Sequence, residues 1–225
     1  MAHPDDVDFG SAGTVAWLTS HGVDVSYCIV TDGDAGGSDR AISRAEMASM
    51  RRKEQTAAAA VVGVEQVIFL GYPDGRLQPT LELRRDISRV IREVTPRVVM
   101  CQSPERNLDR IFASHPDHLA AGEAAMSAVY PDSRNPFAFP ELLEAGLEPW
   151  TTEEIWLSAH PVPTDAIDIT DFFDSKIDAL MAHTSQHPDP EGVRDRIREW
   201  NGLVAANFEL GEGRLAEAFR VVRAA

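Results

Sequence analysis

Cysteine is scarce: Cys28 and Cys101 are the only two in 225 residues. Each lies in a short apolar run, VSYCIV and RVVMCQ, where a buried thiol on a strand is expected. No disulfide framework is indicated, which fits a reducing compartment. Long apolar runs are missing too. None approaches the length of about 20 residues needed to span a bilayer, and no secretory signal segment is recognisable. Basic residues are outnumbered, 21 Lys and Arg against 36 Asp and Glu, for a formal net charge of -15. That balance argues against nucleic acid, anionic membrane surfaces and polyphosphates as partners, because their phosphates would be repelled. Its plainest use is solubility. Internal repeats and low-complexity tracts are also lacking.

Apolar residues make up 44% of the chain, enough for a packed core. Helical and strand periods alternate. GSAGTVAWLTSHG reads as a helix stopped by Gly22, and VDVSYCIV as a strand. SRAEMASMRRKEQTAAAAVVG is a long helix with Ser43 at its N-cap and Gly63 at its end. QVIFLG and RVVMC are strands on either side of LELRRDISRVIREV. That helix puts Leu83, Ile87, Val90, Ile91 and Val94 on one face. LAAGEAAMSAVY is helical. From Pro131 the segment PDSRNPFAFPELLEAGLEPW is Pro-rich and poorly periodic, so a surface excursion is expected. EEIWLSAH and DAIDIT read as strands, DFFDSKIDALMAH as a helix with an acidic cap, GVRDRIREWNGLVAANF as a further helix and AEAFRVV as a last strand. Short apolar strands alternating with helices predict an α/β protein with a Rossmann-like, mostly parallel open sheet and helices on both faces. Residues 1–225 are expected to form a single domain, with 131–225 carrying the excursion and a C-terminal extension. Ligands of such sheets lie beyond the carboxyl ends of the strands. TDGDAGG, GYPDGR and the stretch from SPERN to SHPDH all fall there.

Two short motifs stand out, AHPDD at residues 2–6 and SHPDH at 114–118. Histidine and aspartate are what a zinc-class metal binds, and a catalytic zinc keeps three protein ligands plus water. His3 and His118 offer nitrogen, and Asp5 or Asp6 oxygen. Two adjacent carboxylates make sense if one binds metal and the other stays free as a base. Either motif alone is more readily structural, since Asp and Pro favour turns and Pro with an acid suits a helix start. Their joint placement at two strand-to-helix junctions favours chemistry. Among the tryptophans, Trp150 is singled out as the one beside a loop that could overhang the site.

The pair AHPDD and HPDH resembles the PIG-L/LmbE-like family of metal-dependent N-acetylglucosaminyl de-N-acetylases. TDGDAGG, the Arg-x-x-Glu of Arg51 and Glu54, LGYPDG and IDALMAHTSQ are similar to further family signatures. The resemblance implies His3, Asp6 and His118 as metal ligands and Asp5 as the base acting on the metal-bound water. It implies His115 as the oxyanion stabiliser, Asp117 as the carboxylate orienting His115, and Arg51 and Asp74 as substrate contacts. It implies zinc, with iron(II) as the alternative metal, and an N-acetylated aminosugar as the small-molecule substrate. The reaction expected is hydrolysis of the N-acetyl amide to acetate and free amine. An amidase acting on a low-molecular-weight thiol S-conjugate and a non-catalytic metal-binding homologue are the alternatives. Homo-oligomerisation is compatible with either.

Two features depart from the family pattern. Val7 stands where the family often has Glu, at little expected cost because that side chain is not a ligand. Only Met1 precedes the first motif, where a central strand of about five residues is expected. The reading is therefore that the natural chain starts upstream and that this strand is missing. The cytoplasm is the expected compartment, with an upstream signal sequence left open.

Overall fold

The computed structural model describes every residue except Ser38 and Pro188. In chain order the elements are α1 (Asp6–Ser20), β1 (Ser26–Thr31), α2 (Arg44–Val61), β2 (Gln66–Tyr72), α3 (Leu81–Val94), β3 (Val98–Gln102), α4 (Pro116–Ser127), α5 (Pro140–Glu144), β4 (Glu154–Ser158), β5 (Asp165–Asp168), α6 (Phe173–Met181), α7 (Pro190–Asn207) and β6 (Ala216–Arg223). They form a mixed α/β protein with two compact units. One comprises His3–Asp74 and Asp165–Ala218, and the other Met1–Ala2, Gly75–Thr164 and Phe219–Ala225.

In the first unit β1 and β2 pair in parallel, with Ser26 opposite Gln66 and Ile29 opposite Phe69. α2 starts with a capping box: the Ser43 hydroxyl accepts the Glu46 N–H, and the Glu46 carboxylate accepts the Ser43 N–H. The core of this unit gathers Ile169, Phe173, Ile177, Leu180, Val193, Ile197 and Leu215, with Phe9 and Trp200 packed against it. Gly13 of α1 has no side chain because none would fit; a Cβ there would lie 2.7 Å from Ile169. The expected acidic cap on α6 is absent. Asp168 instead accepts the Thr170 N–H at 2.9 Å, at the start of the short 3-10 turn that leads into the helix.

In the second unit β3 and β4 pair in parallel, from Val98 opposite Glu154 to Gln102 opposite Ser158. β4 pairs antiparallel with the end of β6. α3 is capped by Thr80 and buries Leu83, Ile87, Val90 and Ile91, four of the five residues expected; Val94 is half-buried. The segment after Pro131 forms one short helix, α5, and is otherwise irregular. Its carbonyls are nonetheless firmly bonded. The Arg92 guanidinium, 3% exposed, donates to the backbone oxygens of Asp132, Ser133, Asn135, Ala138 and Leu147. Arg84 forms a two-pronged pair with Asp132 at 2.8 Å. The Trp150 indole N–H donates to the Pro96 carbonyl at 2.8 Å. One cation thus satisfies a loop with no ladder of its own, a contribution that polarity patterns do not reveal.

Among the described residues the strands fall in two sheets, with VSYCIV (β1) and RVVMCQ (β3) in different ones, in keeping with the α/β class expected. Hydrophobic runs specify where strands form, but edge pairing depends on which backbones meet in space.

α4 lies directly against the end of β3. A Cβ on Gly122 would fall 2.3 Å from the Gln102 carbonyl oxygen, a backbone atom that cannot swing away. This contact places the start of α4, and so SHPDH, at the carboxyl end of β3. Gly122→Ala is expected to destabilise the chain by about 1–3 kcal/mol through overpacking. A urea denaturation curve reads this as a lowered midpoint at constant slope; an unchanged midpoint would mean that the helix shifts freely off the strand.

Candidate active site

α1 begins abruptly, and its first turn separates two neighbouring carboxylates. Asp5 is the N-cap, yet its backbone is left-handed, at φ 81° and ψ -24°. Few non-glycine residues adopt that conformation, with Asp and Asn among the more tolerant. Its carbonyl accepts from the Asp8 and Phe9 amides, so the helix starts from the backbone and the Asp5 side chain makes no cap. The carboxylates then diverge. Asp6 Oδ2 accepts the His3 N–H at 2.7 Å and lies 3.2 Å from His3 Nδ1. Asp5 Oδ2 accepts from Arg51 Nη2 at 3.0 Å.

His3 is buried between acids, with its Nε2 3.1 Å from Asp74 Oδ1. Burial works against its imidazolium, but hydrogen bonds and charge from Asp6 and Asp74 outweigh it and bring the group up to about 10. Asp74 shows the reciprocal effect. Burial raises it, and its bonds to His3 and to the Ala35 N–H hold it below the usual carboxylate range. Burial also raises Asp5, the Asp6 charge adds to this, and Arg51 opposes both; the group rests at about 7.

The loop after β1 braces this cluster. Gly33 has φ +62°, and a Cβ there would sit 2.3 Å from Arg51 Nη1. The Gly33 carbonyl accepts from the same nitrogen at 3.2 Å, and the Pro4 carbonyl accepts from Arg51 Nη2 at 2.6 Å. Asp34 pairs with Arg44 and accepts the Asp74 N–H at 3.0 Å. Arg51 and Asp74, expected beside the substrate, thus have their charged groups on Asp5 and His3.

The second motif lies in the other unit. His115 is exposed at the N-cap of α4, where its Nδ1 accepts the Asp117 N–H at 3.2 Å. An accepting Nδ1 leaves the ring proton on Nε2. Asp117 is 1% exposed, and its carboxylate accepts the Gly75 and Leu77 amides at 2.7 and 3.1 Å. His118, half-buried, has Nδ1 3.3 Å from the Ala113 carbonyl. A carbonyl only accepts, so Nδ1 carries the proton in this contact. The rings of His115 and His118 are 5.4 Å apart.

Structure adds Gln55 and Asp8, which motif reading passed over, and joins to them His183 of a stretch that motif reading singles out. Gln55 and Asp8 are fully buried, as is His183 of the HTSQ signature. A signal was available for Gln55. Arg51, Glu54, Gln55, Ala58 and Ala59 are all buried on α2 and recur at the spacing of one helical face. Polar side chains at buried-face positions of an alanine-rich helix need partners. Glu54 finds them in Thr184 and Ser185, whose hydroxyls donate at 3.0 and 2.8 Å.

Comparison with known proteins is in keeping with this chemistry. The PIG-L model, described as GlcNAc-PI de-N-acetylase, matches residues 1–129. Diacetylchitobiose deacetylase of Thermococcus kodakarensis is 34% identical over 98% of this chain and 80% of its own length. A probable N-acetyl-alpha-D-glucosaminyl L-malate deacetylase 2 of Bacillus anthracis is 30% identical over 82% of this chain and 78% of its own length. The solved N,N'-diacetylchitobiose deacetylase from Pyrococcus horikoshii superposes with a TM-score of 0.89 at 32% identity, covering 98% of this chain and 80% of that one. A family model that spans both His-Pro-Asp motifs, together with relatives aligned over most of the chain, makes this protein a member of the PIG-L family.

Proposed function

We propose that this protein is a zinc-dependent N-deacetylase that releases acetate and free amine from a glucosamine-containing small molecule. The hydrolytic class follows from the family, whose named relatives are deacetylases. The observation that carries the mechanism is the left-handed turn at Asp5, which sends adjacent carboxylates to different partners. His3, Asp6 and His118 are the proposed ligands. A buried imidazole beside a carboxylate, and an imidazole whose Nδ1 faces a backbone carbonyl, are the donor types of a zinc-class cation, and iron(II) has the same donor preferences. When bound, the metal supplies a water acidified to near neutrality and polarises the amide carbonyl. The Asp5 carboxylate, held by Arg51, would be the group that takes up a proton from the attacking water, and Asp5 or His115 would return one to the leaving amine. His115 donates its Nε2–H to the oxygen that becomes anionic in the transition state. The Asp117 backbone N–H holds the other ring nitrogen, and its carboxylate ties the turn to Gly75 and Leu77. Arg51 and Asp74 enter through the groups they hold, the Asp5 carboxylate and the His3 ring. The open, Rossmann-like arrangement of the sheets belongs to the same proposal, supported by the parallel pairs β1–β2 and β3–β4.

The test uses the full chain, stripped by a chelator and reloaded with zinc or iron(II). Amine release is followed on N-acetylglucosamine, diacetylchitobiose, N-acetylglucosaminyl malate and a thiol S-conjugate. Release is expected from acetylated aminosugars only after metal is restored. Turnover of the S-conjugate alone would move the assignment to an amidase. Bound metal with no turnover on any of the four would leave a binding protein.

A further inference from the structure

Behind Asp5 lies a second row of buried polar groups that the proposed chemistry does not use. Gln55 Oε1 accepts the Asp5 N–H at 2.8 Å, and Gln55 Nε2 donates to Asp8 Oδ2 at 2.9 Å. His183 Nε2 lies 2.8 Å from the same Asp8 oxygen. Asp8, Gln55 and His183 are all 0% exposed. The orientation of the amide follows from chemistry. A carboxylate only accepts, so Asp8 takes the NH2 end of Gln55 and the carbonyl end must face the Asp5 N–H. His183 also donates to Asp8, which places its proton on Nε2. Asp8 Oδ1 and His183 Nδ1 have no hydrogen-bond partner among the described residues. Orphaned buried atoms are costly, and an apolar cluster of the same shape would avoid that cost. What the polar row supplies in exchange is an acceptor directed at one backbone N–H, that of Asp5, the left-handed residue that carries the first of the two motif carboxylates.

We propose that Asp8, Gln55 and His183 are positioning residues for Asp5: together they hold its backbone in the left-handed turn that keeps its carboxylate apart from that of Asp6. The inference rests on the reading of Asp5 as the proton acceptor. Its content is that the base is aimed from behind, through its own amide, by a row that touches neither substrate nor metal.

The experiment is a double-mutant cycle with Asp5→Asn, Gln55→Met and the pair, all brought to the same metal content in the full chain. Gln55→Met is expected to lower kcat by about 10- to 100-fold, the scale of a small misplacement at a reacting group. KM is expected to stay within about two-fold. On the Asp5→Asn background the same change should cost less than about two-fold, because the row acts through the missing carboxylate. Equal losses on both backgrounds, or a loss confined to KM, would overturn the positioning role while leaving the base reading intact. Full turnover by Asp5→Asn would instead sink the base reading and this inference with it. A second measurement survives poor folding of the variant. In the metal-free wild-type chain the Asp5 amide hydrogen should exchange at least about 100-fold more slowly than in an unstructured peptide. Exchange at the unprotected rate would show that Gln55 does not hold it.

Discussion

Asp5→Asn is expected to keep its metal and lose turnover by about 100-fold or more, the usual contribution of a positioned base. The substitution is unusually clean at this position. Asn tolerates the left-handed region about as well as Asp, so φ 81° survives the change. Its carboxamide can still accept from Arg51 through oxygen, and the backbone bond from Asp5 N–H to Gln55 is untouched. What disappears is the ability to take a proton. Asp5→Ala would mix that loss with backbone strain and with an Arg51 side chain left partly unpaired. Metal content by elemental analysis and kcat on an acetylated aminosugar are the two measurements. If Asp5→Asn loses metal while Asp6→Asn retains it, the two carboxylates exchange roles.

Glu217→Ala is expected to be the most destabilising single change in the chain, at about 3–5 kcal/mol. The carboxylate of Glu217, 2% exposed, accepts the Gly13 and Thr14 amides at 3.1 and 2.7 Å and the Thr14 hydroxyl at 2.6 Å. It also pairs with Lys176, whose ammonium is fully buried and otherwise donates to the Phe9 carbonyl at 2.6 Å. Removing the acid strands a buried cation and leaves α1 donors without their acceptor, which is why the cost exceeds that of a surface ion pair. Against a typical total of about 5–15 kcal/mol, such a loss puts the chain near its unfolding threshold. A melting temperature lowered by about 6–20 °C follows for a protein of this size. The pair Lys176→Met with Glu217→Leu is expected to recover part of the loss, because it removes both charges together. A single variant that melts within about 2 °C of wild type would show that water reaches the pair.

The proposed metal-site residues and the Lys176–Glu217 pair differ in how visible they are in the sequence. AHPDD and HPDH are contiguous, and their residue types state their chemistry; so do Ser43 and Glu46, whose spacing is the capping box itself. Lys176 and Glu217 are 41 positions apart and belong to an ordinary amphipathic helix and a short strand, where charge normally means solvent. Arg92 is a charged residue on a helix with an apolar face, a pattern that does not mark it as the buried post for an entire loop. Local patterns report only on neighbours in the chain, and these partners meet only through folding.

The amino-acid order by itself determined the helix and strand segments, the α/β class, the two His-Pro-Asp motifs and the family they resemble, because each depends on periodicity or on residues a few positions apart. Tertiary structure decided that Asp5 turns left-handed, that Arg51 and Asp74 face Asp5 and His3, and that Gln55, Asp8 and His183 stand behind Asp5. It also decided that the strands form two sheets. The direction of a side chain and the pairing of a strand edge are set by whichever buried donors and acceptors must satisfy each other, and that matching exists only once distant segments are packed together.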